Sequence, residues 1–176
     1  NLLWLLLGAG LGWLHLDLID SVRLLGLLNM SLVLLANAYW YQYLFPQSKL
    51  FPLVMGQLFF VLAAPVAVWT IGGLEQPLIA SLLAWCIVFT CLILKHAAPR
   101  PLWIWSVSTL LGALALTRPD GILFTVIILA TWFLWRGITK ASLLTAAKIL
   151  TVPVFCYSAQ LAFRLWYYQA WVPNTA

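Results

Sequence analysis

Residues 102–135 read LWIWSVSTLLGALALT, then RPDG, then ILFTVIILATWFLW: two apolar runs parted by Arg118, Pro119, Asp120 and Gly121. Taken as one helix, the stretch would hold an Arg and an Asp in the middle of an apolar segment. On insertion scales either residue costs about 2.5–3.5 kcal/mol at a bilayer centre. A turn at the membrane surface avoids that cost, and Pro119 and Gly121 suit a turn. The stretch therefore predicts two helices, 102–117 and 122–135.

The same rule, applied outward, predicts further spans. They cover 2–16, 24–45 (closed by Pro46), 50–71 (closed by Gly72 and Gly73), 78–94 and 149–166. The expected fold is all-α, a polytopic transmembrane helical bundle of about seven spans. Composition demands lipid as solvent. Of 176 residues 65% are apolar and 7% charged, with a mean hydropathy of +1.03. Soluble domains carry about 25% charged residues, and a water-exposed ball of this size has too little interior to hide so much apolar surface. The 11 Trp and 6 Tyr suit the bilayer interfaces, where amphipathic rings collect. Residue 1 is Asn and the apolar run starts at Leu2 with no basic segment ahead of it, which does not fit a signal peptide. The reading is of one partial transmembrane domain over 1–176, cut at both ends.

The net charge of +5 comes from scattered basic residues without a groove- or base-reading motif, so no nucleic acid is expected as partner. Cys86, Cys91 and Cys156 lie in apolar segments without metal or redox spacing and read as small buried thiols. His15 and His96 lack partners at ligand spacing. If the spans alternate, one side receives Lys49, Lys95, Arg100, Arg136, Lys140 and Lys148 and no acid. The other receives Asp17, Asp20, Glu75 and Asp120, together with Arg23, Arg118 and Arg164. Lys and Arg accumulate in cytoplasmic loops, so 46–49, 95–101 and 136–148 are expected in the cytoplasm. Residues 136–148 read either as a short helix on anionic headgroups, with Arg136, Lys140 and Lys148 facing them, or as a solvated connector.

The other side holds three polar outlets. They are Gly72 to Pro77, Arg118 to Gly121, and Arg164 onward through Tyr167, Tyr168, Gln169 and Trp171 to Asn174 and Thr175. Carboxylates there can accept a proton from a hydroxyl or hold a divalent ion, and an Arg can grip phosphate through two parallel bonds. Plainer roles stay open. Glu75 suits the positive end of a helix, Arg118 and Asp120 can pair within a turn, Arg164 can snorkel, and the tyrosines can be belt residues.

Together the outlets resemble those of bacterial GT-C glycosyltransferases, multispanning enzymes that use polyprenyl-phosphate sugars, and most closely the arabinofuranosyltransferase-like subgroup. The resemblance rests on Gly73-Leu74-Glu75-Gln76-Pro77-Leu78, on Leu116-Thr117-Arg118-Pro119-Asp120-Gly121, and on Arg164, Tyr167, Tyr168, Pro173, Asn174 and Thr175. Gln169 stands where that pattern has Gly. The resemblance implies an enzyme of the bacterial plasma membrane that moves a sugar from a polyprenyl-phosphate donor to a glycan or lipid acceptor outside the cytoplasm. It implies Arg118 and Arg164 on the phosphate, Glu75 and Asp120 orienting the acceptor or a divalent metal ion, and Tyr167, Tyr168 and Asn174 on substrate. The principal catalytic Asp of the family lies upstream of its first spans, so 1–176 alone is expected to be inactive. Two other classes stand beside this one: a transporter or flippase for a lipid-linked sugar, and a non-catalytic membrane scaffold.

Overall fold

A computed structural model describes residues 2–169, and these form eight helices and no strand. They are α1 (Leu2–Trp13), α2 (Leu18–Leu44), α3 (Phe51–Leu62), α4 (Ala64–Ile71), α5 (Gln76–Lys95), α6 (Pro101–Thr117), α7 (Gly121–Arg136) and α8 (Lys140–Tyr167). Two compact units share the chain, Asn1–Val88 and Phe89–Ala176.

The expectation of seven spans does not hold. Among the described residues only α2, α5 and α8 are long and apolar enough to cross a membrane; α3 and α4 add a fourth if the bent pair is one broken span. Helices α1, α6 and α7 have 12, 17 and 16 residues. At 1.5 Å per residue even α6 reaches only about 26 Å, short of a hydrocarbon core of about 30 Å. Three or four spans are too few for the GT-C-like bundle. The chain is a multi-pass membrane protein all the same. Only 17% of the most apolar window of α2 and 22% of that of α8 is buried within the chain, so lipid must cover the rest. Leu24, Leu28, Leu32 and Leu35 on α2 and Val154 and Phe155 on α8 are among the exposed side chains.

In the first unit, the Asp17 carboxylate accepts from the Asp20 N–H at 3.0 Å and starts α2 six residues earlier than the apolar run alone predicts. The run 50–71 bends by 64° at Ala63. Pro65 explains the break, because in a continuous helix its ring would collide with the carbonyl four residues back and it has no N–H to donate. Helix α2 lies antiparallel to this broken pair. Gln57 donates to the Leu34 carbonyl at 2.8 Å, and Gly26 lies so close to Thr70 that a Cβ on Gly26 would come within 2.0 Å of the Thr70 oxygen. Those two contacts bracket both the break and Asn29. Helix α5 runs parallel to α2: Ser81 donates to Asn29 at 2.6 Å and Trp85 to the Leu32 carbonyl at 3.1 Å. Asn29 also donates to the Leu25 carbonyl at 2.8 Å, which leaves both ends of this buried amide bonded inside an apolar span.

In the second unit, α6 and α8 run parallel. The Ser108 hydroxyl accepts from the Val152 N–H at 3.2 Å, one residue before Pro153 breaks the helical ladder. One turn on, a Cβ added at Gly112 would meet Val152 Cγ1 at 2.6 Å and Cys156 Sγ at 3.3 Å. Helix α7 returns between these two ends, and Trp132 donates to the Ser142 carbonyl at 3.1 Å. Residues 136–148 are not a separate surface helix. Arg136 ends α7, Thr139 caps α8 by accepting from the Ser142 N–H, and Lys140 to Lys148 are the first turns of a 28-residue helix.

Candidate functional site

The turn from α6 to α7 is set residue by residue. Arg118 precedes Pro119, which disfavours helical backbone; it adopts φ −143° and ψ 148° and ends α6 with its N–H on the Leu114 carbonyl at 3.1 Å. Asp120 is the N-cap of α7. Gly121 must lack a side chain, since a Cβ there would fall 2.3 Å from the Leu114 oxygen. The two helices therefore turn back within three residues, and Arg118 and Asp120 are held at one polar corner. Arg118 Nε donates to Asp120 Oδ1 at 2.9 Å, with the side chains 42% and 53% exposed. This is a pair in contact with solvent, worth little to stability by itself, and its acid lies at the positive end of α7.

Arg164 lies in the last turn of α8. Ser108 meets Val152 and Gly112 meets Cys156, so residues on α8 sit level with residues 44 lower on α6. Carried to the end of α6, that offset pairs Thr117 with Leu161, so the α6–α7 turn and Arg164 lie toward the same end of the second unit. Beyond it the ring of Tyr167 stacks on Phe163 at 5.6 Å and meets Tyr168 edge-on at 4.8 Å. Both tyrosines are exposed, as is Trp166. Gln169, where the resemblance has Gly, takes φ 52°. Asn174, with Trp171, Pro173 and Thr175, lies outside the described residues.

Glu75 belongs to the other unit. It is 8% exposed at the N-terminus of α5, and its carbonyl accepts from the Ile79 N–H at 3.1 Å. The turn ahead of it needs Gly73, whose φ of 73° is left-handed. Within the second unit, then, Arg118, Asp120, Arg164, Tyr167 and Tyr168 gather at one end, while Glu75 occupies a helix start of the first unit.

One basic residue behaves otherwise than the sequence suggests. Arg136 does not face headgroups. Its Nη2 donates to the carbonyls of Ile93 and Leu94 at 3.1 and 3.0 Å and to that of His96, and its guanidinium lies 5.7 Å from the Trp132 ring. It caps the C-terminus of α5, where helix carbonyls lack intrahelical donors and favour a cation. Nothing in the sequence distinguishes this Arg from Lys140 or Lys148; only the fold turns it inward.

No group of three or more His, Cys, Asp or Glu among the described residues could hold a metal ion. The chain matches no known protein family, no curated protein and no solved structure. With too few spans and no match, the resemblance to GT-C glycosyltransferases is overturned. The transferase activity, the polyprenyl-phosphate donor and the glycan or lipid acceptor that it implied are withdrawn with it.

Proposed function

We propose that this multi-pass membrane protein binds an anionic group at the membrane–water interface, at the end of the second unit where Arg118 and Arg164 lie. Arg118 and Arg164 supply the cationic contacts, Asp120 steadies Arg118 through its Nε, and Tyr167 and Tyr168 wall the approach. Glu75 is assigned as a further acid facing the same side of the membrane. The observation that supports this reading is the parallel packing of α6 on α8, which directs the Arg118–Asp120 turn and the last turn of α8 toward the same end of the second unit. Two guanidinium groups toward one end of the unit suit a phosphate or carboxylate, because a charged acceptor strengthens each bond and the planar fork fixes direction. The side is assigned by charge: 46–49, 95–101 and 136–148 face the cytoplasm, and the Arg164 end of the spanning helix α8 faces outward.

The test uses the full chain in phosphatidylcholine nanodiscs with inorganic pyrophosphate as the probe, read by calorimetry. Arg118→Gln and Arg164→Gln should each weaken binding about tenfold, the effect of one charge-assisted hydrogen bond. The double variant should lose less than the sum, as expected of residues sharing one ligand. Unaltered affinity in both single variants would remove the site. Orientation is read in whole cells with an impermeant maleimide, against the unaltered chain as blank. Gln169→Cys should label from outside, and Ile138→Cys only after permeabilisation; the reverse pattern inverts the assignment.

A further inference from the structure

The first unit contains a groove of about 450 Å³ between the C-terminal half of α2 and α3. Trp40, Tyr41, Phe45 and Phe60 line its walls, Asn37 and Gln57 bring two amides into it, and Gly56 lies on its α3 side. At one end the Tyr41 hydroxyl donates to the Lys49 carbonyl at 3.0 Å, which ties the Lys49 backbone to a residue that lines the groove. We propose that this groove holds an anionic glycerophospholipid drawn from the surrounding bilayer.

Three features carry the assignment, and the first is Gly56. A glycine inside a helix costs about 0.5–1 kcal/mol relative to Ala. Gly56 sits within α3, has no left-handed φ, and has nothing within 4 Å of where its Cβ would be. Neither backbone conformation nor packing requires it, so its structural consequence is open space in the groove. The second is the pair of amides. Asn37 makes no hydrogen bond among the described residues, and Gln57 uses only its Nε2, on Leu34. Both lie about 10 Å along their helices from the 45–50 turn, and amides at that depth without partners are costly in hydrocarbon. An occupant with oxygen atoms set just below a headgroup would satisfy them, as the ester groups of a glycerolipid would, while its chain covers the aromatic walls. The third is charge. Lys49 is the single charged residue in 46–50, and no acid occurs from Arg23 to Leu74, so a lipid with a negative headgroup is favoured over a neutral one.

Full-length protein reconstituted in nanodiscs of equal parts phosphatidylglycerol and phosphatidylcholine, then extracted into detergent, can be weighed intact with its retained lipid by native mass spectrometry. The wild type should keep phosphatidylglycerol in preference to phosphatidylcholine. Gly56→Leu fills the groove and should reduce retained lipid by at least about tenfold, the scale of 1.4 kcal/mol. Gly10→Leu, which adds the same side chain to open space on α1, should retain lipid as the wild type does. Lys49→Gln should reduce the preference for phosphatidylglycerol about fivefold without emptying the groove. Asn37→Leu, which leaves the helix volume nearly intact, should weaken retention even if Gly56→Leu fails to fold. Equal retention by the wild type, Gly56→Leu and Asn37→Leu overturns the groove as a lipid site. Equal loss in Gly10→Leu does so too, and a wild type that ignores the headgroup overturns the anionic assignment.

Discussion

Helix α2 in the first unit and helix α6 in the second are both apolar, yet they bury themselves in different solvents. Of the 27 residues of α2, five are buried within the chain: Ser21, Gly26, Asn29, Val33 and Ala36. Of the 17 residues of α6, eight are, from Ile104 and Val107 through Leu111 and Gly112 to Thr117. The longer helix leaves its leucines to lipid and spends its small and polar positions on contacts within the chain. The shorter one buries nearly half of its residues against protein. Apolarity therefore reports that water is excluded, not what excludes it; length separates the two cases.

The sharpest way to break the comparison is at the two places where backbones touch, one in each unit. Gly121→Ala drives a Cβ to 2.3 Å from the Leu114 oxygen and 2.6 Å from its carbon; Gly26→Ala drives one to 2.0 Å from the Thr70 oxygen. Rigid backbone cannot yield as a side chain does, so each should cost at least about 3 kcal/mol, the upper end for overpacking. The measurement is the midpoint of sodium dodecyl sulfate unfolding from mild detergent. If the second unit is the protein-packed one, Gly121→Ala should also free α6 and raise hydrogen exchange along its length. In Gly26→Ala the exchange of α2 should rise only near Thr70, since lipid still shields the remainder. Equal local effects in both variants would erase the distinction.

Next in size is Arg136→Gln, which strips three carbonyls at the end of α5 of their shared donor. A loss of about 2 kcal/mol follows from removing a cationic cap that also stacks on Trp132. Arg136→Lys should recover less than half of it, because an ammonium is a point charge without the guanidinium fork. Full recovery with Lys would reduce the contact to charge alone. A smaller effect is expected in the first unit from Asn29→Leu. Its bond to Ser81 crosses between lipid-exposed helices, where such bonds average about 0.6 kcal/mol and reach about 1.7.

These residues also show how far the chain's own text could be read. Helix ends were visible at three breakers in the apolar runs: Pro46, Gly72 with Gly73, and Arg118 to Gly121. Even the pairing of Arg118 with Asp120 was open to inference, as one of two roles for a short polar turn. Two signals were present but outweighed by apolarity. Pro65 divides the run 50–71 into α3 and α4, and Thr139 with Ser142 starts α8 where a connector had been the alternative. The span count was not legible, because a run of 14 or 16 apolar residues suits a wrapped helix as well as a clipped span. That Arg164 and Asp120 lie toward the same end of the second unit was not legible either. It depends on Ser108 and Gly112 meeting α8 at Val152 and Cys156, which no spacing within one helix specifies. Nor could the inward turn of Arg136 be read from its neighbours.

The smallest expected effects set one glycine against one glutamine. Gly56 in the first unit has an ordinary helical position and empty space beside it, so Gly56→Ala should stabilise the folded chain by about 0.5–1 kcal/mol through the entropy removed from the unfolded state. Gln169 in the second unit follows the end of α8 with φ 52°, the left-handed state that helices commonly adopt just past their last turn and for which glycine carries no steric penalty. Gln169→Gly should therefore also stabilise, by less than about 1 kcal/mol, since the added freedom of the unfolded chain offsets part of the relief. Two substitutions of opposite chemistry then move the unfolding midpoint the same way. A falling midpoint in Gly56→Ala would mean that α3 needs the missing side chain for its own stability and not for the groove. A falling midpoint in Gln169→Gly would mean that the glutamine side chain holds the end of α8 by a contact that outweighs its backbone strain.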